Sequence, residues 1–303
     1  MGFFAPPPVI KTEVYASLPK KYRDPSKRKP RSAPRFHHGI DSFLEGPSFD
    51  REGNLYLVDI PYGRIFRMSP KGDFDLVTQY DGEPNGLKIH KDGRIFISDY
   101  KNGIMELDPR TAKIEPLLEW RHTERLRGVN DFVFSSSGDL YFTDQGLTGF
   151  HDPTGRVYRY TAQGHLECLL YNAPSPNGIA LSPKDDVLYI AITCAAAVWR
   201  MQPTSDGSAK VRLFTQMICG GADGLAVDEA GNVVVANVQM GILWLVDKKG
   251  EPINRIQSCG GDMTTNVAYG GPERKTLFMT DSENGQILVA DMPVSGKLLF
   301  SHL

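Results

Sequence analysis

LEGPSFDREGNLYLVD, residues 44–59, decides the reading. An acid, Glu45, opens a run of apolar and small residues, a polar turn follows at Arg51-Glu52-Gly53, and Leu55-Tyr56-Leu57-Val58 then supplies the β-branched and aromatic composition of a second strand. This strand, turn, strand unit recurs. Taking Glu45 as the first anchor, the equivalents are Asn85 in EPNGLKI, Asn130 in GVNDFVF, Asn177 in SPNGIAL, Asp223 in ADGLAVD and Asn266 in TTNVAYG, at spacings of 40, 45, 47, 46 and 43 residues. A turn residue stands eight positions after each anchor: Gly53, Gly93, Gly138, Asp185, Gly231 and Arg274. A strand position stands eleven or twelve after it: Tyr56, Phe96, Tyr141, Tyr189, Val234 and Phe278.

Third strands such as RIFRMS, GRVYRY, GILWLV and QILVAD complete the units, and helical periodicity is nearly absent. A period of 40 to 47 residues with about four short strands is the signature of a propeller blade. The expected fold is therefore all-β: a six-bladed β-propeller with four-stranded antiparallel blades around a central channel. Residues 1–36 read as an irregular arm with a closing outer strand, and 37–303 as the propeller. A ring must hide the edges where its ends meet, and Thr12–Ser17 or Lys297–Phe300 has the composition to add that outer strand.

Working outward to the whole chain, 303 residues with 41% hydrophobic and 23% charged side chains can bury a sizeable core. A formal net charge of −2 gives no electrostatic reason to expect nucleic acid or an anionic membrane as partner. The basic, proline-rich stretch Lys20–Arg35 reads as a solvated arm. Cys168, Cys194, Cys219 and Cys259 form no CxxC pair and read as reduced core residues. No apolar run approaches the roughly 20 residues of a spanning helix. Met1-Gly2-Phe3-Phe4 lacks the features of a signal peptide, so the expected location is cytoplasmic. Gly2 lacks the Ser or Thr that a myristoylation motif needs, since Pro6 stands in its place.

The innermost strand of each blade lines the channel, so anchors that begin those strands form a ring of Glu, Asn, Asn, Asn, Asp and Asn. Six carboxylates and amides pointing together are costly without something to satisfy them. Two carboxylates with amide oxygens suit a hard divalent cation, Ca²⁺ first, with Mg²⁺, Mn²⁺, Zn²⁺ or Fe²⁺ as alternatives. The competing reading is that Asn-Gly at 85–86 and 177–178 merely turns the chain between blades. Polar residues of the longer loop at 142–156, Gln145, Thr148 and His151, are candidates for a rim over the pocket, and His37-His38 could reach the same mouth. No GxSxG elbow marks a serine esterase.

On LEGPSFDREGNLYLVD at 44–59, RLRGVNDFVFSSSGDLYFTD at 125–144, PNGIALSPKDDVLYIA at 176–191 and ADGLAVDEAGNVVVA at 222–236, the chain resembles the SMP-30/gluconolactonase/LRE family of calcium-dependent lactonases. The resemblance implies a metal held by Glu45, Asn130, Asn177 and Asp223, with Asn85 and Arg127 toward substrate. Arg127 stands where family members commonly carry Asn. The implied activity is opening of a lactone ester, of the sugar-lactone type, by a monomer or small homo-oligomer. The cation would polarise the carbonyl, and an acid or cation-bound water would supply the nucleophile, with Asp223 as base and Glu45 as the alternative. A phosphotriesterase or aryl-esterase of the same fold, or a non-catalytic ligand-binding propeller, is the rival reading.

Overall fold

A computed structural model of the protein describes residues 6–27, 36, 39–202 and 209–303, and His37-His38 and the basic cluster beyond Lys27 as far as Arg35 lie outside them. Among the described residues six blade sheets succeed one another along the chain, with a separate two-stranded hairpin of Trp120–Arg121 and Glu124–Arg125. Their innermost strands are Leu44–Phe49, Pro84–Ile89, Val129–Phe134, Pro176–Leu181, Gly221–Val227 and Thr264–Gly270, and each touches the next, the sixth returning to the first. All six turn positions read from the sequence carry left-handed backbone, from Gly53 at φ 80° to Arg274 at φ 53°. That is why glycine dominates them.

The core is divided as a ring requires. Six apolar clusters lie between consecutive blades, for example Phe96 and Ile104 of blade 2 against Phe132 and Phe142 of blade 3, and Val234 of blade 5 against Leu277 of blade 6. No blade has a core of its own, so each depends on its neighbours.

The ring closes through the amino-terminal segment. Glu13–Ser17 pairs antiparallel with Gln286–Asp291 and becomes the outer strand of blade 6, while Val9–Lys11 adds a fifth, parallel strand to blade 5. The part of the lead-in that is described is more ordered than its composition suggests, with short 3₁₀ turns at Lys20–Tyr22 and Pro25–Lys27 and Tyr22 packed on the first cluster. Lys297–Phe300 does not form an outer strand. Residues 293–303 run instead across the face opposite the anchors. There Lys297 N–H donates to Val227 O of blade 5 and Gly296 N–H to Arg274 O of blade 6. The Lys297 ammonium pairs with Asp185 of blade 4, Phe300 packs on Phe134 and His90 of blades 3 and 2, and Arg51 of blade 1 donates to Ser301 O. This strap touches all six blades. All four cysteines are free thiols, as expected, and Cys168 is half-buried against the cluster between blades 2 and 3; the core placement is corrected for Cys194, Cys219 and Cys259, which are exposed in a short turn and loops at the anchor end.

Each inner strand carries one extra residue, a β-bulge, immediately beside its anchor: between Glu45 and Ser48, Pro84 and Gly86, Val129 and Phe132, Pro176 and Ile179, Ala222 and Leu225, and Thr264 and Val267. A bulge turns the strand and re-aims a side chain. Counting from the bulge corrects one anchor. Thr264 pairs with Asp281 as Val129 pairs with Asp144, so the ring position in blade 6 is Thr265, and Asn266 is level with Asp131. The blade 6 hairpin is two residues longer, which displaced a reading made from the turn.

At the level of Asp131 and Asn266 the other inner strands have glycine, where neighbouring blades come closest. A β-carbon on Gly178 would lie 2.2 Å from Asp223 O of the next blade. Gly178→Ala is therefore expected to destabilise the protein by about 1–3 kcal/mol, the range for overpacking, seen as a lower denaturation midpoint at unchanged m-value. A midpoint equal to that of the parent protein would show that the blades can separate at no cost.

Candidate active site

Glu45, Asn85, Asn130, Asn177 and Asp223 are all buried and share one register position in blades 1 to 5, so they form one layer at one mouth of the channel. The entry of four of the six inner strands, those of blades 1, 2, 3 and 6, is held by a residue the sequence reading passed over, the last of the adjacent strand. Asp59 accepts the Phe43 N–H (2.8 Å), Asp99 that of Glu83 (3.1 Å), Asp144 those of Arg127 and Gly128 (2.7 and 2.8 Å), and Asp281 that of Gly261 (2.8 Å). The signal was present, since LYLVD, IFISD and LYFTD all end on this Asp fourteen residues after their anchor. In blades 1, 2 and 3 these carboxylates fix the backbone from which Glu45, Asn85 and Asn130 project.

Beneath that layer the channel is crossed. Asn266 Nδ2 donates to Glu45 Oε2 at 2.9 Å and reaches Asp131 Oδ2 at 3.4 Å. Asp131 Oδ1 in turn accepts from Lys88 Nζ at 3.3 Å. Blades 3 and 6 face each other across the ring, and only the glycines of the other four blades leave room for their side chains to meet. Asn266 is thus the support of Glu45.

Two sequence candidates stand beside the ring in defined roles. Asn130 Nδ2 donates to Gln145 Oε1 at 2.8 Å, and Gln145 Nε2 donates to Ser175 Oγ at 2.9 Å. This chain fixes the amide orientation of Asn130 and leaves its carbonyl oxygen as the donor atom available to a cation. Asn85 Nδ2 donates to Asn130 O at 3.2 Å. Thr148, buried, links Gln145 O to Ser175 N–H. Arg127 donates to Thr154 and lies 3.9 Å from Glu124, which directs its guanidinium along the rim loop. His151 is exposed at the tip of that loop.

Burial pushes the Glu45 carboxyl up to about 7; the Gly46 N–H, the Thr265 hydroxyl and the Asn266 amide offset part of this, and the charge of Asp131 adds to it. Burial likewise raises Asp59 to about 6 despite its ion pair with Arg64 at 3.2 Å.

The class this defines is a six-bladed propeller with an acid-and-amide ring at the mouth of a crossed channel. The chain belongs to the SMP-30/Gluconolactonase/LRE-like family, whose pattern matches residues 43–283. Lactonase drp35 of Staphylococcus aureus is 33% identical over 231 residues, covering 70% of this chain and 69% of that protein. Among solved structures, a calcium-binding protein, regucalcin, of Agrobacterium tumefaciens superposes with a TM-score of 0.77 at 21% identity over 98% of both chains. A gluconolactonase of Xanthomonas campestris superposes with a TM-score of 0.74 at 22% identity, covering 83% of this chain and 86% of that one. The structural likenesses bear on fold, and the named relatives support a lactonase-type function.

A carboxyl raised by burial binds its proton more tightly in the folded chain, so its contribution to stability falls as pH rises from its ordinary 4.5 through about 7. In the presence of chelator, the protein is expected to lose about 2 kcal/mol more between pH 5 and 8 than Glu45→Gln does. Denaturant titrations of both proteins at the two pH values check this, and Asp59 cancels because both retain it. Parallel losses would mean that Glu45 titrates normally.

Proposed function

We propose that the protein hydrolyses lactones with the help of one divalent cation, held by Glu45, Asn130, Asn177 and Asp223. The observation that carries this reading is the set of register-equivalent oxygen donors at one mouth, two of them carboxylates, with Asn130 and Glu45 already oriented by Gln145 and Asn266. The set fits a hard cation in charge and donor type. The likeness to a calcium-binding relative makes Ca²⁺ the first ion to try.

When bound, the cation supplies Lewis acidity toward the lactone carbonyl. The chain supplies the rest. Asp223, from blade 5, accepts a proton from the water that attacks the carbonyl carbon, and returns it to the ring oxygen as the acyl C–O bond breaks, giving a hydroxy acid. Glu45 holds its position through Asn266 and balances the charge on the opposite side of the ring. Asn85 stands in the same layer and faces the bound ring as an orienting group.

Chelation should abolish turnover, and Ca²⁺, Mg²⁺ or Mn²⁺ should restore it. With cation saturating, Asp223→Asn should lower kcat by about 10²–10⁴-fold, the range for a lost general base, while Glu45→Gln weakens cation binding and is rescued by excess ion. Rescue of Asp223→Asn but not of Glu45→Gln would exchange the two roles. Hydrolysis unaffected by chelator would remove the cation from the reaction.

A further inference from the structure

The loops around this mouth end in exposed apolar side chains. Leu147 is 79% exposed and Phe150 72%, Ile218 is fully exposed, and Met240 is 36% exposed. These are not loose residues. Gly146 O accepts from Tyr100 Oη, and Thr148 is buried between Gln145 O and Ser175 N–H, so Leu147 projects from a segment pinned on both sides. Phe150 rides the tip of a two-residue turn closed by reciprocal Gly149 and Asp152 hydrogen bonds of 3.0 and 3.1 Å. A β-carbon on Gly149 would lie 3.4 Å from Cys194 Sγ of blade 4, and one on Gly220 2.6 Å from Met240 Cγ, so the loops of blades 3, 4 and 5 form a continuous rim. Those blades carry Asn130, Asn177 and Asp223.

Apart from the exposed His151 imidazole, the polar side chains named on this rim are already committed. Both ends of the Gln145 amide are bonded, the Thr148 hydroxyl makes two bonds, and Arg127 is held by Thr154. Two of its nearby cations are paired, Arg125 with Glu119 at 2.7 Å and Arg156 with Glu124 at 2.9 Å, which reduces what would attract an anionic lipid surface. A polyhydroxylated ring would find few free partners here, whereas an alkyl or aryl group would remove apolar surface of both partners from water.

We infer that Leu147 and Phe150, with Ile218 and Met240, receive an apolar substituent of the substrate, which makes the substrate class lactones bearing an alkyl or aryl side chain. This rests on the proposed lactone hydrolysis and assigns its specificity to the blade 3 loop.

The test uses the full chain with cation restored, an aldonolactone, and γ-lactones carrying no side chain, a butyl chain and an octyl chain. For the parent protein kcat/KM should rise about tenfold along the alkyl series, mostly through KM, and exceed that for the aldonolactone. In the double variant Leu147→Ser/Phe150→Ser the octyl-to-unsubstituted ratio should fall to about twofold or less. An equal loss on every lactone, or preference of the parent protein for the aldonolactone, overturns the inference. So does cosedimentation with phosphatidylcholine vesicles that the double variant abolishes while the octyl ratio is unchanged, since the rim would then dock on a lipid surface. If no lactone is hydrolysed, the proposed function fails by itself; calorimetric binding of γ-lactams with the same chains then decides the rim, and affinity independent of chain length overturns it.

Discussion

Six inner strands must converge on one axis without colliding, and their polar ends must face a space too narrow for water to solvate freely. The bulge beside each anchor meets the first demand by bending the strand at the level where blades touch, and the glycines of four blades allow that touch. Everything at the mouth depends on this geometry. The extra residue turns one side chain per blade into the channel, and because all six bulges fall at equivalent places the turned side chains share one height.

The second demand is electrostatic. A buried carboxylate without a partner is expensive, and Glu45 shows it in a carboxyl pushed up to about 7. The chain lowers that cost only partly, through hydrogen bonds from Gly46 and Asn266. Asp131 is treated differently. It receives Lys88 from below as well as an amide from across the channel, so its charge is compensated within the protein. The contrast separates two kinds of acid a few ångströms apart along the axis: one satisfied by the fold, and one that the fold holds in place and leaves incompletely neutralised, as a site that receives a cation would be.

What the sequence made legible was whatever repeats. The period, the turn positions and the aromatic strand positions are local and recur, so chance errors in one blade are corrected by the other five. Asn266 shows the limit: two residues added to one hairpin move the turn relative to the bulge, and a count from Gly or Arg at the turn then selects the neighbour of Thr265. The crossing of Asp131 and Asn266 could not be read at all, because it depends on two blades 135 residues apart meeting at the axis and on which bulge residue faces inward. The strap at 293–303 escaped for the same reason, since its partners are scattered over six blades and belong to no pattern. Cys194, Cys219 and Cys259 were misread because composition reports how often a residue type is buried, and these three sit in turns and loops outside the strands.

The strap also fixes how the candidate site can be used. Leu298 and Leu299 cover the far end of the channel, and the space left against Leu181, Val227 and Tyr269 is about 60 Å³, room for a few waters, where small-molecule pockets take roughly 300–1,000 Å³. Above it the Asp131 and Asn266 crossing closes the axis again. On the lactone hydrolysis proposed above, substrate enters and product leaves through the mouth that carries the anchors. At a mouth closed below in this way, a polar floor meets only the part of a ligand that reaches the axis, and the remainder lies on the rim. Floor and rim are built from different material, the floor from inner strands locked by the blade interfaces and the rim from the loops that join strands. On the same proposal the floor holds the reaction while rim residues such as Leu147 and Phe150 set which substituent is accepted, because neither contributes to a blade core.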